Sequence, residues 1–84
     1  MTIVEATAQR TINLMKKYNL TQKMFEEKSK IPHRIMNKLL LRKYKDINVK
    51  LLHKIANGFN LSIYQFIDDE LFNMSNIEYK DNKK

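Results

Sequence analysis

The chain has 84 residues and no cysteine, so it is long enough for one domain but not for two, and disulfide frameworks and thiolate metal sites are excluded. It contains no run of about 18 apolar residues and no secretory signal, which predicts a cytoplasmic protein with no membrane partner. The net charge of +7 is concentrated between Arg10 and Lys54, where thirteen Lys and Arg and three acidic residues give +10. That segment favours a polyanion such as nucleic acid, but a solvated lysine-rich surface is an equal alternative on charge alone.

The first two predicted helices have clear start signals, and the single glycine and single proline of the chain favour an all-α fold. Thr2 and Glu5 have the spacing of a capping box and predict a first helix that ends near Tyr18. Helical spacing predicts that its core face comprises Ile3, Val4, Ala8, Ile12 and Met15, with Leu14 and Tyr18 alongside. Thr21 is the predicted N-cap of a short second helix from Gln22 to about Ser29.

The third helix is predicted from Pro32 to Leu41, because proline is tolerated in the first turn of a helix. The predicted inner face of the second and third helices comprises Phe25, Ile31, Met36 and Leu39. The outer face of the third helix carries four polar residues whose spacing puts them on one side, His33, Arg34, Asn37 and Lys38. The polar stretch that follows, Arg42 to Asp46, is predicted to be a loop.

The C-terminal part of the chain predicts two more helices. Asn48 can cap a fourth helix from Val49 to about Phe59, and Asn60 after it is suited to a left-handed helix end. Ser62 and Gln65 repeat the capping-box spacing and predict a fifth helix, with Leu71 as its furthest extent.

Five helices with short connections predict a compact bundle formed by residues 1–72, followed by a flexible tail at 73–84. The residues expected to support a symmetric dimer are Ile63, Tyr64, Leu71 and Phe72. Three consecutive leucines end the third helix, and they cannot all face the core. We expect the third of them, Leu41, to contact the fourth helix or the Tyr44 loop, with an exposed patch for a partner as the alternative.

The outer face of the third helix has the chemistry of base recognition. Arg and Lys pair with guanine edges or phosphates, and Asn pairs bidentately with adenine. The sequence therefore predicts base contacts by His33, Arg34, Asn37 and Lys38 within the basic segment.

An ordered set of residues resembles the lambda-repressor/Cro-like (Xre-type) helix-turn-helix family of DNA-binding proteins. The set comprises Leu20-Thr21-Gln22, Phe25, Glu27-Lys28-Ser29, Ile31, Met36, Leu39, Leu51-Leu52-His53-Lys54-Ile55-Ala56, Phe59-Asn60-Leu61-Ser62 and Phe66. The resemblance covers roughly Ile3 to Ile67 and implies a five-helix bundle whose second and third helices bind DNA. It also implies a transcriptional regulator of the phage or mobile-element repressor type. Such a regulator is expected to be a homodimer, at least when it is bound to a palindromic operator in double-stranded DNA.

The resemblance implies roles for two groups of residues. It places base reading at the four outer-face residues of the third helix. It places phosphate contacts at the start of the second helix and in the loop after the third, and we expect these contacts at Thr21, Gln22, Lys23, Arg42, Lys43 and Lys45.

Several residues depart from the family pattern, Leu41-Arg42 in place of the usual Asn-Gly among them, and three bear most on DNA binding. Glu26 stands where alanine is preferred, and its carboxylate must point outward or find a cation such as Arg34 or Lys30. Lys30 stands where the turn usually has glycine, which costs about 1 kcal/mol if the residue is left-handed. Pro32 replaces the polar cap of the third helix. These departures keep an alternative function open, a protein-interaction module of the antitoxin or anti-regulator kind with weak or no specific DNA binding.

The sequence favours no enzymatic activity, cofactor or metal. It has no glycine-rich phosphate loop, and Asp68-Asp69-Glu70 is interpreted as a polar helix end rather than as catalytic carboxylates. His33 and His53 have no cysteine partners and no metal-ligand spacing.

Overall fold

The prediction of a compact all-α bundle is confirmed by the computed structural model, which describes residues 1–73 and residue 77. The described residues form five α-helices and one 3-10 helix, with no strand among them. In chain order these are α1 (Ile3–Lys17), α2 (Gln22–Ser29), α3 (His33–Leu40), α4 (Val49–Gly58), α5 (Ile63–Ile67) and the 3-10 helix (Glu70–Phe72). Among these residues, no helix has the length and apolar character needed to cross a bilayer.

Most of the tail predicted at 73–84 lies outside the described residues. Asn73 and Ile77 are the members of that segment that the structure describes. Asn73 is exposed, whereas Ile77 is only 8% exposed.

Local side-chain caps start four of the five α-helices, as the sequence predicts. The Thr2 hydroxyl accepts the Glu5 N–H at 3.1 Å, and the Glu5 carboxylate accepts the Thr2 N–H at 2.8 Å. The other three caps are Thr21, Asn48 and Ser62. Each such cap satisfies an N–H that has no partner within the helix and contributes about 1 kcal/mol.

The core lies where α2 packs on α4 and α1 packs on α3. The predicted inner-face residues are all buried, and the rings of Phe25 and Phe59 stack with their centroids 4.2 Å apart. Gly58 allows this approach, since a Cβ there would lie 2.7 Å from the Phe25 ring and 2.8 Å from the Ser29 Cβ. A side chain at this position would force α2 and α4 apart.

The buried face of α1 differs from the prediction at its polar residues. Thr7 and Thr11 are fully buried, because their hydroxyls donate to the carbonyls of Ile3 and Thr7 at 2.7 Å and need no water. Tyr18, which was expected beside the core, is 46% exposed. Its ring nevertheless contacts the edge of the core, with its centroid 6.2 Å from that of Phe59.

The fifth helix stops short of Leu71, the furthest extent that the sequence predicts. Helix α5 ends at Ile67, and the chain then turns into the 3-10 helix, where the Asp69 side chain accepts the Leu71 N–H at 3.0 Å. The same Asp69 accepts a hydrogen bond from the Arg10 guanidinium at 3.0 Å. Arg10 also donates to the carbonyls of Phe66 at 2.8 Å and Gln65 at 3.2 Å, which belong to the last turn of α5 and have no partner within the helix. We refer to Arg10, Gln65, Phe66 and Asp69 as the Arg10 cluster.

Candidate nucleic-acid interface

Helices α2 and α3 are joined by a turn of three residues, Lys30–Pro32. Lys30 ends α2 in the left-handed conformation, with φ 62°, and donates its N–H to the Glu26 carbonyl at 2.9 Å. Ile31 is buried, which anchors the turn in the core. Pro32 precedes α3 and provides no side-chain cap, as the sequence predicts. The turn therefore fixes the position of α3 through backbone conformation and burial.

One face of α3 is in the core and the opposite face is open. Met36 and Leu39 are fully buried. The four residues predicted to read bases are all exposed: His33, Arg34, Asn37 and Lys38. At the end of the helix Leu40 packs partly on the core, but Leu41 is 61% exposed, which agrees with the alternative of an exposed leucine.

Four polar residues connect the exposed side of α2 to that of α3. We call them the α2–α3 network: Gln22, Glu26, His33 and Asn37. The amide nitrogen of Gln22 donates to the Glu26 carboxylate at 2.8 Å and to the Asn37 side-chain oxygen at 2.9 Å. The same carboxylate oxygen of Glu26 lies 2.7 Å from Nδ1 of His33. The network thus ties two of the four candidate base readers to α2.

Glu26 is the member of this network whose partners the sequence interpretation missed. Its carboxylate pairs with His33 and Gln22, and not with Arg34 or Lys30 as expected. The Gln22 amide hydrogen bond, helped by His33, holds the pKa of the Glu26 carboxyl below its ordinary value, although partial burial acts in the opposite direction. The spacing of Gln22 and Glu26 by four residues indicates a shared helix face, but the contact with His33 depends on how the turn folds.

The start of α2 is open towards solvent at the residues predicted to contact phosphate. The Thr21 hydroxyl accepts the Met24 N–H at 3.1 Å and so caps the helix. The N–H groups of Gln22 and Lys23 have no partner within the helix, since they belong to its first turn. Lys23 is exposed beside them, so this end of α2 presents N–H donors and a cation together.

The cations on and after α3 differ in their contacts within the fold. Lys43 and Lys45 are exposed. Arg42 is left-handed, with φ 58°, and its guanidinium donates to the Gln9 side chain on α1 at 2.9 Å. Lys38, on α3 itself, lies 4.6 Å above the Tyr44 ring. Arg42 is therefore exposed but held against α1, whereas Lys38 is held over the Tyr44 ring.

One described pocket is smaller than a typical small-molecule site. A pocket of about 180 Å³ lies between α3 and α4, lined by Ile35, Tyr44, Asp46, Asn48, Lys50, Leu51 and Lys54. Small-molecule sites usually have at least about 300 Å³. Within residues 1–73 and 77, no three His, Asp or Glu side chains are close enough together to hold a metal ion.

Comparison with known proteins adds no family to these observations. No protein-family model matches the chain, and neither a curated protein nor a solved structure matches it. The resemblance to the lambda-repressor/Cro-like family therefore stays a prediction from the residues between Ile3 and Ile67.

Proposed function

We propose that the protein is a sequence-specific DNA-binding transcriptional regulator, in which α2 and α3 form a helix-turn-helix and α3 enters the major groove. One observation carries the proposal: α3 exposes four polar side chains, and α2 holds two of them, His33 and Asn37, by hydrogen bonds. Side chains held in place before binding lose less conformational entropy when they contact a base. The major groove, about 12 Å wide, admits an α-helix of about 10–12 Å diameter.

The four side chains differ in the contacts that they favour. Arg34 is exposed and has the two-pronged geometry that recognises guanine. Asn37 supplies the donor and acceptor that recognise adenine. Lys38 is drawn towards the Tyr44 ring, which brings its ammonium group to the end of α3, within reach of a base or a phosphate. His33 projects from the first turn of α3, and its side chain is 69% exposed.

Phosphate contacts are assigned to both ends of this helix pair. Thr21, Gln22 and Lys23 offer the N-terminus of α2, and Lys43 and Lys45 offer exposed ammonium groups after α3. Arg42 is also exposed and joins them with the N–H donors that Gln9 does not occupy. Binding that depends on several such contacts weakens steeply as the salt concentration rises.

The proposed setting is the cytoplasm of a bacterium or a phage-infected host. A homodimer on a palindromic operator matches two half-sites with two copies of α3. Tyr64, which is 83% exposed on α5, and its half-buried neighbour Ile63 offer apolar surface for the dimer contact. A repressor of this kind acts by occupying its operator.

A second candidate function, a protein-interaction module, is favoured by the exposure of Leu41. This leucine is 61% exposed directly after α3, where a partner protein could cover it. The acidic Glu26 beside α3 likewise opposes phosphate. The two functions differ in what the purified protein binds at low salt, DNA or a partner protein.

The deciding experiment is selection from random-sequence duplex DNA with the purified full chain, followed by gel-shift titration of the selected duplex and a random duplex. We expect enrichment of a defined site and tighter binding to it than to random DNA. Equal binding to both duplexes would indicate nonspecific coating. No DNA binding at low salt, together with a partner that co-purifies, would support the interaction module instead.

A further inference from the structure

Glu26 places a negative charge beside a helix that is proposed to approach phosphates. Its side chain is 13% exposed, and one of its carboxylate oxygens contacts both Gln22 and His33. We propose that Glu26 is a positioning residue that decides which base edges His33 and Asn37 read, an inference that rests on the proposed function. Glu26 itself contacts no base.

The first consequence concerns the proton of His33. An ionised carboxylate only accepts hydrogen bonds, so Nδ1 of His33, 2.7 Å from it, must carry the proton. A neutral imidazole has one N–H, which leaves Nε2 as an acceptor on a ring that is 69% exposed. In the major groove an acceptor pairs with the amino group of adenine or cytosine. Glu26 thereby directs the neutral form of His33 to an exocyclic amino group.

The second consequence reaches Asn37 through Gln22. Because the carboxylate accepts, Gln22 must present its NH₂ group to Glu26, at 2.8 Å. The other N–H of that group then faces Asn37, whose oxygen accepts it at 2.9 Å. The NH₂ group of Asn37 is left to donate, and its oxygen retains a second lone pair. That donor and acceptor are the pair that an adenine edge requires.

Removal of Glu26 therefore has two opposite effects. Loss of its negative charge raises the affinity for DNA of any sequence, because phosphate repulsion falls. Loss of its hydrogen bonds frees His33 and the Gln22–Asn37 pair to adopt other orientations, which lowers the preference for one site. A residue needed only for folding would lower both affinities together.

The test compares three variants on the duplex selected by the wild-type protein and on a random duplex. Glu26→Ala removes the charge and both hydrogen bonds. Glu26→Gln removes the charge but keeps an oxygen that can accept from Gln22 and His33. Glu27→Ala is the matched control, since Glu27 is exposed on the same helix and carries the same charge. Urea unfolding of each variant confirms that it is folded under the binding conditions.

We expect Glu26→Ala to lower the preference for the selected duplex about tenfold, the value of one good base contact, while binding to random DNA does not weaken. Glu26→Gln and Glu27→Ala should keep the preference. The proposal is overturned if Glu26→Ala keeps the preference, or if Glu26→Gln loses as much of it as Glu26→Ala.

A measurement without DNA separates this inference from the proposed function. The ¹⁵N shifts of the His33 ring, recorded at a pH where histidine is neutral, should show the proton on Nδ1 in the wild type and in Glu26→Gln but not in Glu26→Ala. A wild-type proton on Nε2 overturns the positioning role even if the protein binds its site. A proton on Nδ1 in a protein with no sequence preference overturns the proposed function, and the reading role of Glu26 with it.

Discussion

The Arg10 cluster and the α2–α3 network both join separate helices through polar side chains, but they leave very different groups exposed. The Arg10 side chain is 15% exposed, and each of its three nitrogens has a partner. The His33 side chain is 69% exposed, although one of its nitrogens is paired. Arg10 contributes to the +10 of the basic segment, yet its donors are used within the fold. A cation in the sequence is thus a candidate DNA contact only where the fold leaves its donors free.

This difference separates stability from recognition. Breaking the Arg10 cluster should lower the free energy of unfolding. Changing the exposed face of α3 should alter DNA binding and leave the fold intact. Variants in the Arg10 cluster and on the exposed face of α3 can therefore test whether the first supports stability and the second DNA binding.

The largest expected effect is that of Arg10→Ala on stability. The substitution leaves Asp69 and the carbonyls of Gln65 and Phe66 without their donor. Because these groups are partly screened by solvent, we expect the free energy of unfolding to fall by about 2 kcal/mol, less than for a fully buried pair. Urea unfolding followed by circular dichroism measures the change. Lys16→Ala, which removes an exposed cation from the same helix, should cost no more than about 0.5 kcal/mol. Equal losses would contradict a structural role for Arg10.

The opposite pattern is expected for Arg34→Ala. This variant should weaken binding to the selected duplex by about 1–3 kcal/mol, because the proposed guanine contact is lost. Its free energy of unfolding should change by less than about 0.5 kcal/mol, since the side chain is exposed. Gel-shift titration measures the binding. Lys17→Ala is the control, because Lys17 lies over the Tyr18 ring, outside the proposed interface. Small and equal losses on selected and random DNA would remove Arg34 from base reading.

A smaller effect is expected at the turn that positions the α2–α3 network. Lys30 is left-handed, a conformation that costs about 1 kcal/mol for a residue with a side chain. We therefore expect Lys30→Gly to raise the free energy of unfolding by up to about 1 kcal/mol. Lys28→Gly removes the same charge two residues earlier, inside α2, and should lower it by about 1 kcal/mol. A loss of stability in both variants would contradict strain at Lys30.

The helix starts could be predicted from sequence because their causes are local. Thr2, Thr21, Asn48 and Ser62 each accept an N–H three residues ahead, a spacing that is visible in the sequence. The left-handed end at Asn60 was predictable for the same reason, whereas that at Lys30 was indicated only by the family pattern, which has glycine there. The exposed face of α3 followed from helical periodicity once the helix was placed.

The partners of charged side chains could not be predicted, because they depend on how helices pack. Arg10 and Asp69 are 59 residues apart in sequence and 3.0 Å apart in the structure. Glu26 meets His33 only because the turn at Lys30 brings α3 back beside α2. The sequence shows that a carboxylate near a basic face needs a partner, but several cations and one histidine are within its reach along the chain. Tertiary contacts decide among them.

The smallest expected effect is a pH dependence that distinguishes the network from the rest of the fold. The Gln22 hydrogen bond, supported by His33, lowers the pKa of Glu26 in the folded state, so the unfolded chain binds its proton more readily. The contribution of Glu26 to stability is therefore complete above the ordinary glutamate pKa of about 4.3 and is lost as the pH falls through the lowered folded pKa. Glu26→Gln cannot titrate, so its urea midpoint should fall less than that of the wild type between about pH 6 and pH 3. Glu5→Gln should reduce the same fall separately, because the Thr2 backbone N–H lowers the pKa of Glu5 in the α1 cap. Parallel curves for the wild type and Glu26→Gln would show that the carboxylate contacts of the network do not hold α2 and α3 together in solution.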